Sequence, residues 1–333
     1  AATAEFLIKD AGSLNIELGG DSPQGALLAA REGVEQEIAQ YKFTAIDDSA
    51  TLTEITIGNT SSSTAFVVST AADPRIAGLY LYDGTTLVDS TLLVSGLGQF
   101  NVNSKVVIPA NESKTLTVKV ILNPIVNDAG ATNKDLHLTL INAKFKASAG
   151  NVIGPQTEND MANSFRIRKT TATVALQTLP DTLLNAGDKV VSKFTVTADA
   201  SGDVSLKKVD LTYSTTTLAT LAGLASNAVK INGATKNIAS VLDAGAKTLT
   251  ITFATPEVIS AGTSKTFEIL GTVGVSGSGS ESVTTKITED ASFVTNGTGN
   301  FVWSDGASIS TPTYSNGKLV PGLTTSTQVL SKN

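Results

Sequence analysis

Short runs in which apolar and polar residues alternate recur along the whole chain. LTVKVIL (116–122), LHLTLI (136–141) and TLTITF (248–253) put every second side chain on one apolar face. That period of two is the mark of a half-buried β-strand. Turn residues separate the runs. The pairs Asp83-Gly84 and Asn232-Gly233 each sit between apolar stretches. They predict type I′ hairpins, whose two central residues both need positive φ. Short strands with a turn signal every roughly 8–12 residues predict an antiparallel β-sandwich.

One stretch argues otherwise. ALLAAREGVEQEIAQ (26–40) reads as a helix by propensity. The chain itself supplies the arbiter, because it contains two copies of one unit. EFLIKDAGSLNIEL near the start resembles SFRIRKTTATVAL in the middle, with Phe6 on Phe165, Ile8 on Ile167 and Lys9 on Arg168. Leu52, Ile55 and Ile57 match Leu206, Val209 and Leu211 at identical spacing. YDGTT (82–86) matches INGAT (231–235), and IPANESKTLTV matches ISAGTSKTFEI. The order is kept throughout at an offset of roughly 150–160 residues, as a tandem duplication requires. The counterpart of the helix-prone stretch is LLNAGDKVVSKF (183–194), with Asn-Ala-Gly-Asp followed by β-branched residues. It reads as strand, turn, strand, and propensity is the weaker guide. The expected architecture is all-β: an extra N-terminal strand (1–10), a first sandwich (11–168) and a second (169–333) with a C-terminal extension. In that extension, from Phe301 onward, Trp303 and Tyr314 are expected to pack against the second sandwich.

Composition narrows the function. Of 333 residues only 16% are charged and 5% aromatic; the net charge is −6 and the pI about 4.9. No cluster of Lys or Arg interleaved with aromatics is present, so nucleic acid is a poor partner. No apolar run reaches the roughly 18 residues of a membrane span. The absence of cysteine removes disulfides and thiolate metal sites. The small residue Ala1 is of the kind signal peptidase leaves, which gives the expectation of a processed N-terminus on a secreted chain.

Catalytic chemistry is hard to assemble from these residues. His137 is the single histidine and reads as a surface position of its strand. No G-x-S-x-G elbow occurs, and zinc would lack ligands. The chain is expected not to be an enzyme. Asp47, Asp48, Asp73, Asp83, Asp89 and Asp128 are loop carboxylates that could serve Ca²⁺, but no D-x-D-x-D-G loop with its closing Glu frames them. Sequons at Asn59, Asn111 and Asn296 are possible glycan sites.

The pattern LYLYDGTTLVDS…IPANESKTLTVKVIL, repeated in tandem and closed by FVWSD…YSNG…VPGL, resembles large secreted proteins of candidate-phyla (Patescibacteria-like) bacteria that carry tandem Ig-like sandwiches. The resemblance implies a cell-surface or extracellular location and supplies no catalytic residue. In layout, the extra strand is similar to the donor strand of donor-strand-complemented pili and fibres, although no pilin signature is present.

That leading strand sets the functional expectation. SFRIR lies where the first unit ends, and the simplest role for it is to complete the sheet of the unit before it. Its counterpart EFLIK would then complete the second unit of another copy, with Ala4, Phe6 and Ile8 facing the acceptor core and Leu7 at a partly covered edge. Phe165 and Ile167 are the equivalent residues within the chain. Burying Phe6 and Ile8 contributes about 1.5–3 kcal/mol each. Association costs some 4–15 kcal/mol, so contacts between sandwiches must add to it. The expected product is a polymer: an extracellular filament grown head to tail. Folding back onto its own sandwich, or having no fixed place, are the open alternatives for the strand. A surface layer, or an adhesin or carbohydrate-binding module, are those for the function.

Overall fold

A computed structural model of the chain describes residues 12–59, 75–126, 132, 134–150, 152–157, 163–277, 279–308, 312–323 and 326–332. The chain divides into two compact units. Unit 1 comprises Ala1–Pro124 and Asn133–Ile167; unit 2 comprises Ile125–Thr132 and Arg168–Asn333. The second unit therefore takes in a short strap, 125–132, from within the span that the sequence assigned to the first sandwich.

Among the described residues twelve strands belong to the first part of the chain: β1 (Ser13–Leu18), β2 (Leu27–Ala29), β3 (Glu35–Ile46), β4 (Ala50–Asn59), β5 (Ile76–Asp83), β6 (Thr86–Thr91), β7 (Leu97–Ile108), β8 (Ser113–Leu122), β9 (Lys134–Leu136), β10 (Leu138–Lys146), β11 (Val152–Thr157) and β12 (Phe165–Arg168). They form sheets in the orders β1-β3-β8-β5-β6, β11-β10-β4-β7 and β2-β12-β9. Alternation is what builds the core. In β8, Leu116, Val118, Val120 and Leu122 are fully buried while the residues between them face outward. Each such side chain contributes about 1.5–3 kcal/mol of burial. The helix-prone stretch is strand, turn and strand: β2, a turn with Gly33 at φ 68°, then β3. Ile38, Tyr41, Phe43 and Ala45 of β3 reach the core across a bulge between Glu37 and Ala39. Tertiary burial has overridden local propensity.

The second part of the chain repeats the plan. Its strands are β13 (Ala172–Leu176), β14 (Gly187–Ala198), β15 (Val204–Thr215), β16 (Ala219–Ile231), β17 (Ala234–Lys236), β18 (Ile238–Asp243), β19 (Thr248–Ile259), β20 (Ser264–Val275), β21 (Ser282–Ile287), β22 (Phe301–Ser304) and β23 (Gln328–Ser331). Sheets run β13-β14-β20-β16-β17 and β18-β19-β15-β21-β23, with β22 also paired to β15. Phe194 of β14 lies opposite Phe267 of β20, and their rings stack at 5.1 Å between centroids. The fold is all-β: two tandem Ig-like sandwiches of antiparallel sheets. No helix occurs among the described residues.

Two local expectations are corrected. The Asn232-Gly233 turn has φ of 49° and 84°, as type I′ requires. The turn between paired Asp83 and Thr86 has only Gly84 at positive φ (59°), the layout of type II′. Its second position is Thr85, whose branched Cβ disfavours positive φ. His137 does not lie within a strand. It separates β9 from β10, half-buried, and its N–H donates to Asn59 Oδ1 at 3.2 Å.

Candidate strand-docking site

β12 occupies a slot in unit 1 between two short strands. It pairs antiparallel with β9, Phe165 opposite Leu136 and Ile167 opposite Lys134. On its other side lies β2, and Arg166 N–H donates to Ala26 O at 2.9 Å. The side chains alternate as the pleat demands. Phe165 and Ile167 are buried at 3% and 0% exposure. Arg166 points the other way and meets Asp135 at 2.6 Å. Burial lowers the Arg166 pKa and the Asp135 carboxylate opposes that shift.

Unit 2 contains the same slot, filled by a different segment. β23 pairs antiparallel with β21, Leu330 opposite Val283, and Lys332 N–H continues the ladder to Glu281 O at 2.8 Å. On its other side Ser331 N–H donates to Thr182 O (2.8 Å) and Leu184 N–H to Ser331 O (2.9 Å). In the repeat Leu183 is the counterpart of Leu27, so Ser331 stands where Arg166 stands in unit 1 and Leu330 where Phe165 stands. Leu330 is 1% exposed.

Two residues before Leu330, Gln328 turns inward and is also buried. Its Oε1 accepts from Ser192 Oγ (2.8 Å) and Lys193 N–H (2.9 Å). Its Nε2 donates to Gln177 O (2.5 Å) and Lys193 O (2.8 Å). All four bonding directions of this amide are used. Sequence reasoning missed β23 because QVLS shares no residue type in register with FRIR. The alternation of Gln328 and Leu330 was its only signal.

A second feature escaped the sequence reading. Arg168 ends β12 yet belongs to unit 2, where it is fully buried. Its Nε lies 3.0 Å from Asp305 Oδ2, its Nη1 donates to Ser315 Oγ at 2.6 Å, and its guanidinium lies 4.3 Å from the centre of the Trp303 ring. The same Asp305 oxygen accepts from Thr132 Oγ1 (2.5 Å) and Lys169 N–H (3.1 Å). Trp303 is fully buried, and its Nε1 donates to Asn316 O at 3.0 Å. Tyr314 is half-buried beneath Lys207, whose Nζ is 4.6 Å from the ring centre. This cluster ties the strap, the start of unit 2 and the C-terminal extension into one core.

The remaining sequence candidates fall as follows. Ala4, Phe6, Leu7 and Ile8 lie outside the described residues, as do Asp73 and Asp128. Asp48 is held by Ser49 N–H, Ser148 N–H and Ser148 Oγ. Those bonds, the Ser148 hydroxyl first, lower its pKa. Asp83 pairs with Lys114 at 2.6 Å, and Asp89 caps Asn101 N–H at 2.7 Å. Among the described residues no three or more His, Cys, Asp or Glu gather closely enough to hold a metal ion. No described helix is long and apolar enough to cross a membrane. Of the sequons, Asn59 is half-buried in β4, and Asn111 and Asn296 are exposed on turns.

No protein-family profile and no curated protein matches the sequence. Solved structures give remote likenesses. Domains CBD12 of CALX1.2 show 12% identity over 81% of this chain and 79% of that one, with a TM-score of 0.29. The C-terminal domain of the Streptococcus pyogenes antigen I/II-family protein AspA shows 8% identity over 97% and 100%, with a TM-score of 0.21. The major pilin RrgB of Streptococcus pneumoniae shows 11% identity over 79% of this chain and 44% of that one, with a TM-score of 0.21. Likenesses this distant carry no argument about what the chain does.

Proposed function

We propose that this chain is a structural module of an extracellular bacterial filament whose copies join head to tail by strand donation. In this reading residues 4–8 of one copy complete unit 2 of the next, as β12 completes unit 1 within the chain. The observation that supports it is the placement of β12. A strand at the junction between repeats pairs with the unit before it, and buries Phe165 and Ile167 there. The chain carries the same Phe-x-Ile pattern at Phe6 and Ile8 ahead of its first unit. Added strands of this kind draw affinity from main-chain hydrogen bonds and specificity from alternate side chains. A head-to-tail contact of this type does not close on itself, so it propagates.

A surface rich in Thr and Ser suits an exposed, inert polymer. Several cross-strand hydroxyl pairs line its sheets, among them Thr44 with Ser113 (2.8 Å) and Thr197 with Ser264 (2.7 Å). The experiment that tests the reading is deletion of residues 1–9, followed by light scattering and negative-stain microscopy. The full chain should form filaments, and the deleted chain should remain a folded monomer. Filaments unchanged by the deletion would contradict the proposal.

A further inference from the structure

The acceptor slot in unit 2 is already closed by β23, and this bears directly on how strand donation would proceed. Resting on the reading above, we infer that β23 is an exchangeable strand: it seals unit 2 of a single molecule, and residues 4–8 of a second copy enter by displacing it. Gln328 is the latch that opposes the exchange.

The correspondence is residue by residue. Pairing to β21 and to Leu183–Leu184 puts Leu330 where Phe165 stands, and the repeat puts Phe6 on Phe165. Positions 4, 6 and 8 of the donor therefore replace 328, 330 and 332. At the middle position Phe6 would replace Leu330. At the last, Ile8 would replace Lys332, whose counterpart in unit 1 is the fully buried Ile167. β23 thus offers one large apolar side chain to a slot that in unit 1 takes two. The donor restores both.

The first position works in the opposite direction. Ala4 would replace Gln328, and with it the four hydrogen bonds to Ser192, Lys193 and Gln177. A buried polar group is costly to leave unsatisfied, so this network holds β23 in place. The partner is a second copy of this chain, and the regulator is one amide.

The amide of Gln328 and the pairing of β23 with β21 can be changed independently. Gln328→Ala removes the latch from the closed state only, because Ala4 makes no such bonds in the exchanged one. For the lock, the chain's lack of cysteine helps. Thr284 and Val329 are opposite residues of β21 and β23. The ladder bond from Lys332 to Glu281 makes theirs a non-hydrogen-bonded pair, the kind whose side chains stand closest and within reach of a disulfide. Val329 is 40% exposed, so a cross-link there leaves the core side chains untouched.

The assay uses a fluorescent peptide of residues 1–9 and the chain lacking those residues, whose described fold begins at Gly12. Gln328→Ala should tighten peptide binding by about tenfold or more, equivalent to about 1.4 kcal/mol of lost competition. Oxidised Thr284→Cys with Val329→Cys should abolish binding, and reduction should restore it. A peptide with Phe6→Asp and Ile8→Asp should not bind any variant. Equal binding to the oxidised and reduced forms would overturn the exchange at β23, as would no binding to the Gln328→Ala chain. A thermal melt of each variant confirms that it is folded. The outcome is separable from the filament test: if deletion abolishes polymer while the oxidised lock leaves polymerisation intact, exchange at β23 and docking in its slot fall, and head-to-tail assembly through residues 1–9 stands.

Discussion

Asp305→Ala should strip unit 2 of a large share of its stability. The Asp305 carboxylate is 1% exposed and faces Arg168, which is wholly buried, at 3.0 Å. Replacing it by Ala leaves a guanidinium in the core without its counter-charge. It also leaves Thr132 Oγ1 and Lys169 N–H without the oxygen that accepts them. Removing one partner of a buried pair costs about 3–5 kcal/mol, against a total of about 5–15 kcal/mol for an ordinary domain. For a unit of this size each kcal/mol moves Tm by about 2–4 °C, so the unit 2 transition should fall by about 6–20 °C by the same scaling. Differential scanning calorimetry reads this directly, and the unit 1 transition serves as the internal reference. The companion variant, Arg168→Met with Asp305→Leu, removes both charges and should recover much of the loss, since apolar replacements of a buried pair are often neutral. A fall of under about 1 kcal/mol in the single variant would refute the reasoning, as would a double variant no better than the single one.

Other outcomes follow from the same structure. Phe165→Ala should cost about 3–5 kcal/mol and Leu330→Ala about 2–5 kcal/mol, the first on the unit 1 transition and the second on unit 2; urea unfolding followed by hydrogen exchange assigns each to its unit. Burial raises the pKa of Glu257, but Lys236 at 2.6 Å and Lys265 at 2.5 Å outweigh it and the net shift is downward. That stabilisation is complete above the ordinary carboxylate value, about 4.3, and is lost as pH falls through the depressed folded value. Glu257→Gln should therefore flatten the acid limb of a urea-midpoint profile while lowering stability at pH 7. Gly322 has φ 84°, and a Cβ there would stand 1.6 Å from Val174 O; Gly322→Ala should cost at least about 1–3 kcal/mol in conformation alone, seen as a lower Tm of unit 2.

Much of the architecture was legible because both repeats obey the same period. LTVKVIL became β8 and TLTITF the start of β19, each with alternate residues buried. The repeat also resolved the helix-prone stretch 26–40, since its counterpart LLNAGDKVVSKF reads as strand, turn and strand. What escaped was determined by partners far along the chain. Arg168 was visible only as the counterpart of Lys9, and its burial depends on Asp305, Ser315 and Trp303, over 130 residues away. The strap 125–132 carries no local sign that Ile125 and Thr132 are buried in unit 2. β23 is four residues long and differs in residue type from β12, so only the hydrogen-bond register reveals that the two strands fill the same slot. The Asp83-Gly84 turn differed from expectation because Thr85 decides the turn type as much as Gly84 does.

Strand donation itself is tested most directly by a cross-link between two differently substituted copies. Leu7 of the donor would take the place of Ser331, which lies opposite Ser282 in a non-hydrogen-bonded pair. Leu7→Cys in one preparation and Ser282→Cys in another, mixed under polymerising conditions and oxidised, should give a disulfide-linked heterodimer on a non-reducing gel. It should be absent when the donor also carries Phe6→Asp. Filaments that form from the mixture without that cross-link would contradict the proposed docking of residues 4–8 in the unit 2 slot.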